Sequence, residues 1–70
     1  MKKQFVLYRS YIYSNHHLNL KTYDDIVQHA EKVKSFSRPD NALTHLGFDA
    51  EDTDFKYYYY IVDTVNKTII

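Results

Sequence analysis

Four consecutive tyrosines, Tyr57 to Tyr60, stand inside a run from Phe55 to Val62 that contains neither glycine nor proline and reads as a β-strand. Side chains alternate across a strand, so Phe55, Tyr57, Tyr59 and Ile61 point one way and Lys56, Tyr58, Tyr60 and Val62 the other. Each face carries large aromatics, and each calls for cover. A chain of 70 residues has room for about two helices, enough to cover one face of a small sheet. The other face is left for water, a second copy or a partner.

The length predicts one α+β domain spanning residues 1–70, since no linker-like change of composition divides the chain. Ordering costs about 1.5 kcal/mol per residue while apolar burial returns about 25 cal/mol per Å², so a core this small comes out near balance. With no cysteine, neither disulfides nor thiolate zinc sites can help. Oligomerisation or dense aromatic packing remains, and a homodimer is the expectation. The formal net charge is zero, which removes the overall basic field that drives non-specific nucleic-acid binding. The apolar stretch after Lys2 and Lys3 is broken by Arg9 and Ser10, unlike a signal peptide. No segment approaches the roughly 20 apolar residues that span a bilayer. The expected setting is cytoplasmic, with no membrane partner.

Along the chain, Gln4 to Ser14 reads as a first strand with faces Phe5, Leu7, Arg9, Tyr11, Tyr13 and Val6, Tyr8, Ser10, Ile12, Ser14. Alternation alone leaves its buried face open. Thr22 is a good N-cap with Asp24 and Asp25 behind it, and Tyr23, Ile26, Val27, Ala30, Val33 and Phe36 recur at helical spacing. The pattern predicts one long helix from Thr22 to about Phe36. Ser37 would cap a second, short helix with Pro39 in its first turn and Gly47 ending it, and Leu43, Leu46 and Phe48 would complete the core lid. Asp49, Glu51, Asp52 and Asp54 read as an acidic loop. After the tyrosine strand, a three-residue hairpin loop with Asn66 left-handed would set Asp63 opposite Lys67, Val62 opposite Thr68 and Ile61 opposite Ile69. Phe55, Tyr57, Tyr59, Ile61 and Ile69 then form the better core face. The predicted fold is a three-stranded antiparallel sheet in the order β-α-α-β-β, with both helices on one side.

On this reading the outer face carries Lys56, Tyr58, Tyr60 and Val62, joined by Arg9, Tyr11 and Tyr13 of the first strand. These residues are the candidate partner-binding site. Tyrosine offers wide contact at small entropic cost and recurs in binding hot spots, which favours a protein partner, the chain itself or another protein. The alternative is a single-stranded nucleic-acid module that stacks bases on the open sheet. Only Lys56 and Arg9 lie near the tyrosines, and the acidic stretch beside them would repel phosphates.

Other chemistry finds little footing. His16 and His17 diverge if extended, and His29 and His45 are far apart, so no metal site or other cofactor is expected. The Asp49–Asp54 stretch lacks the glycine and the closing glutamate of a calcium loop. No activated nucleophile or phosphate-cradling loop points to an enzyme. A short, cysteine-free chain rich in Tyr, Asn, Lys and Ile resembles small accessory proteins of phages and other mobile elements. That resemblance implies a stoichiometric inhibitor that binds a host protein and occludes its surface.

Overall fold

The structure is a computed structural model and describes residues 3–14 and 20–70. His16 and His17, considered above as metal ligands, lie outside the described residues. Six elements follow one another: β1 (Phe5–Tyr11), α1 (Tyr23–His29), β2 (Glu31–Phe36), α2 (Pro39–Asp52), β3 (Tyr57–Asp63) and β4 (Thr68–Ile69). Among the described residues they build one four-stranded sheet in the order β2-β1-β3-β4, with every neighbouring pair antiparallel. The expected three strands and the order β-α-α-β-β are therefore corrected to four strands and β-α-β-α-β-β.

The correction comes from residues 30–36. Thr22 does cap α1, its Oγ1 accepting from the Asp25 amide at 3.2 Å, and Ile26 is fully buried. The helix stops at His29, where Ala30 turns extended at φ −83°, ψ 156°. A helix of 7 residues has little stability of its own, so tertiary contacts decide its length. Here the open edge of β1 wins, pairing Phe5 with Phe36, Val6 with Ser35 and Arg9 with Glu31. The register slips between Leu7 and Tyr8, which face Lys34 and Lys32, so that Val33 is the extra residue of a bulge. The bulge delivers Val33 to the same core as Phe36.

The two helices lie on opposite faces of the sheet, not together on one. Val6, Tyr8 and Val62 form one core with Leu20 and Ile26, joined by Tyr23, Ala30 and Tyr60. Leu7 and Ile61, from the opposite face of the same strands, form the other with Ala42, joined by Val33, Phe36, Leu46 and Tyr59. Each helix thus satisfies one face of strands that are apolar on both. Gly47 does not end α2 but lies exposed within it, and the last turn includes Asp49, Glu51 and Asp52 of the expected acidic loop. Of the expected lid, Leu46 packs inward while Leu43 and Phe48 are exposed.

The end of α2 also moves the start of β3. The Phe55 amide donates to the Ala50 carbonyl at 2.8 Å and the Asp54 amide to that of Glu51 at 3.2 Å, a Schellman closure with Asp54 where glycine usually stands. Asp54 and Phe55 both take positive φ, 54° and 58°, and the Lys56 amide reaches the Thr53 carbonyl at 3.3 Å. Phe55 is therefore an exposed turn residue and not the first core residue of the strand. In the closing hairpin Asp63 faces Thr68 and Val62 faces Ile69, one residue from the expected register, and Lys67 takes the left-handed position. The buried Asp63 carboxylate explains the shift: it accepts from the Val65 and Asn66 amides, from Asn66 Nδ2 and from Gln4 Nε2, which fixes a four-residue loop. Ile69, expected in the core, is exposed.

Candidate functional site

The rungs of the sheet on the α2 side run Leu7 opposite Ile61, Arg9 opposite Tyr59, then Tyr11 opposite Tyr57. The C-terminal turn of α2 ends over the Arg9 rung. Arg9 Nη1 donates to both oxygens of Asp49, at 3.2 and 2.9 Å, and its Nε donates to Glu31 Oε2 at 2.7 Å. The Tyr59 hydroxyl donates to Asp49 Oδ2 and lies 3.3 Å from Thr53 Oγ1. Burial works against charge on Asp49, but the hydrogen bonds from Tyr59 and Arg9 and the Arg9 charge hold its carboxyl below the usual range. Burial and the bond to Asp49 together push the Tyr59 hydroxyl up. The same two carboxylates, against the cost of burial, hold the Arg9 guanidinium protonated well beyond its ordinary range.

Beyond this cluster the sheet carries aromatics only. Arg9 Cζ sits 4.3 Å from the centre of the Tyr57 ring, Tyr57 lies 5.4 Å from Tyr11, and Tyr11 meets Tyr13 edge-on at 5.2 Å. A turn closed by the Ser14 amide on the Tyr11 carbonyl, 2.9 Å, folds the chain past β1 and sets Tyr13 against Tyr11. Tyr13 is 73% exposed and Tyr11 41%, so the ladder runs from a fixed base to an open tip. Such edge-to-face contacts hold rings in one arrangement before any partner arrives.

The candidate residues are thus divided between faces. Arg9, Tyr11 and Tyr13 belong to the α2 side, while Tyr58, Tyr60 and Val62 belong to the α1 side. Val62 is fully buried and Tyr60 packs into the α1 core, where burial pushes its hydroxyl up. Tyr58 is half exposed and Lys56 is exposed. Tyr57, Tyr59, Asp49 and Glu31 were missing from the sequence-based site. The β1–β3 register could have found Tyr57 and Tyr59, since it makes Arg9 and Tyr11 their face-mates, whereas Asp49 and Glu31 come from α2 and β2 and had no such signal.

What this arrangement can do chemically is limited by its own pairing. Arg9, Asp49, Tyr59 and Glu31 satisfy one another, and no pocket and no group of three metal-ligating side chains occurs among the described residues. No helix among them is long and apolar enough to cross a membrane. In comparisons with known proteins, no family model, no curated protein and no solved structure matches the chain.

Proposed function

We propose that the chain is a small protein-interaction module, without chemistry of its own, that binds a protein partner through the aromatic end of its sheet and inhibits it by occlusion. One observation carries this reading: the Tyr57, Tyr11, Tyr13 ladder is organised by stacking yet open at its tip, past the reach of α2. Tyrosines held rigidly on a scaffold are the usual anchors of protein interfaces. Phe55, 68% exposed on a left-handed backbone, adds a ring at the same end of β3. Bulky residues persist in that conformation where the surroundings or function demand it. Stacking of nucleic acid is the weaker reading, because the cation nearest the ladder, Arg9, is already neutralised by Asp49 and Glu31.

The test begins by placing a photocrosslinking phenylalanine at Tyr13 and, as control, at exposed Val65, in cells of the source. A partner crosslinked from Tyr13 alone is then purified and titrated. The Tyr11→Ser/Tyr13→Ser variant should keep its thermal midpoint and lose roughly tenfold or more in affinity. Binding should change little between about 50 and 500 mM salt, where nucleic-acid contacts would weaken steeply. Unchanged affinity of the folded double variant would refute the reading.

A further inference from the structure

The two edges of the sheet differ. The β2 edge presents Glu31, Lys32 and Lys34 and carries a bulge, the features by which strands discourage pairing with other chains. The β3 edge has neither. There β4 covers only Val62 and Asp63, with the Ile70 amide reaching the Ile61 carbonyl at 2.9 Å. Among the described residues no strand other than β4 pairs with that edge, which leaves it without a neighbouring strand beside Tyr57 and Tyr59.

Hydrogen-bond parity tells which groups the edge offers. Ile12 donates to the Lys56 carbonyl and Thr64 to that of Gln4, so the even-numbered residues of β3 exchange bonds with β1. Odd-numbered residues face the other way, as Ile61 does toward Ile70. The N–H and C=O groups of Tyr57 and Tyr59 therefore point out of the sheet. We propose that this edge pairs with the same edge of a second copy, antiparallel about a two-fold axis at Tyr58, giving one continuous eight-stranded sheet.

Parity and the neighbouring turns select that register. With Tyr57 opposite Tyr59 of the second copy, and Tyr59 opposite its Tyr57, every outward group of the two residues is used, each pair exchanging both its N–H···O bonds. Sliding to Tyr57 opposite Tyr57 would call on Phe55, whose φ of 58° is not that of a strand. Sliding to Tyr59 opposite Tyr59 would call on Ile61, whose carbonyl already accepts from Ile70. In the selected register no like charges meet, because Lys56 stands opposite Tyr60. The left-handed turn at Asp54 and Phe55 takes the chain out of the line of β3, leaving that place to β4 of the second copy. Phe55 of each copy then comes beside Ile69 and Ile70 of the other, so residues 68%, 42% and 62% exposed in one chain share cover in two. The two-fold axis keeps like faces on one side, and both Tyr11, Tyr13 ladders stand on the same surface.

This dimer uses the edge of β3 and shares only the Phe55 ring with the partner reading above, which is carried by the Tyr57, Tyr11, Tyr13 ladder. The experiment compares wild type with a synthetic chain carrying an N-methyl group on the Tyr59 amide, a change that leaves every side chain in place. Light scattering over a concentration series should give twice the 8.4 kDa chain mass for wild type and the single mass for the folded N-methyl chain. In wild type, hydrogen exchange at the Tyr57 and Tyr59 amides should slow at least tenfold from dilute to concentrated solution, a readout that needs no variant. A wild type that stays monomeric up to about 0.5 mM, an N-methyl chain that still dimerises, or exchange at those amides independent of concentration would overturn the proposal.

Discussion

Arg9 interrupts the otherwise apolar Phe5, Leu7, Tyr11 face of β1, with its side chain one-fifth exposed and balanced by carboxylates from two other elements. A part-buried cation is tolerated only with such partners, and removing one leaves the rest costly. The sequence placed Arg9 beside the tyrosines but gave no sign of Asp49, because an acidic run reads as a solvated loop until a helix is seen to pass through it. Asp63 was likewise read as a strand end, and its four hydrogen bonds emerge only when Gln4, distant in sequence, comes alongside. Gln4 first, then Asn66 and Val65, hold its carboxyl below the usual range. Both carboxylates therefore contribute stability that is fully present above the unfolded-state value of about 3.9 and is lost as pH falls through their lower folded values. Urea midpoints should drop steadily below about pH 4, and Asp49→Asn should flatten that dependence as well as lowering stability near neutrality. An identical slope in the variant would show that Asp49 titrates alike folded and unfolded.

At the scale of elements, local signals were legible where they sufficed and misleading where a distant strand had the last word. The Thr22 cap, the acidic first turn of α1, Pro39 in the first turn of α2 and the strand character of the tyrosine run stand where the residues indicate, although β3 begins at Tyr57 and the N-cap of α2 is Arg38, not Ser37. Residues 30–36 fit helical spacing through Ala30, Val33 and Phe36, and nothing local announces that β1 would claim them. The missed bulge at Val33 hid their alternation. Parity again supplies a test: Glu31 and Lys34 bond toward β1, whereas the Lys32 amide faces outward from an edge strand. Lys32→Pro should accordingly cost no more than about 1 kcal/mol in chemical denaturation, while a helix running through this position would lose about 3 kcal/mol or more. A loss of the larger size would contradict the assignment of β2.

The whole molecule solves the problem posed by four adjacent tyrosines by covering both faces of the strand that carries them. With α1 on Tyr60 and Val62 and α2 on Tyr59 and Ile61, no complete face is left bare, and what remains open is an end and an edge. Alternation correctly paired Tyr57 with Tyr59 and Tyr58 with Tyr60, but the number of covered faces depended on breaking the long helix in two. The binding surface consequently shifts from the Tyr58, Tyr60, Val62 face to the Tyr11, Tyr13, Tyr57 ladder. Mapping tyrosine nitration by mass spectrometry, in the free wild-type chain and in its non-covalent complex with the purified partner first identified by crosslinking, tests this most directly. Tyr13 and Tyr11 should react readily in the free chain and become protected in the complex, with buried Tyr8 unreactive in both. Equal reactivity of Tyr11 and Tyr13 in the free and bound states, or a Tyr60 as reactive as Tyr13, would contradict it.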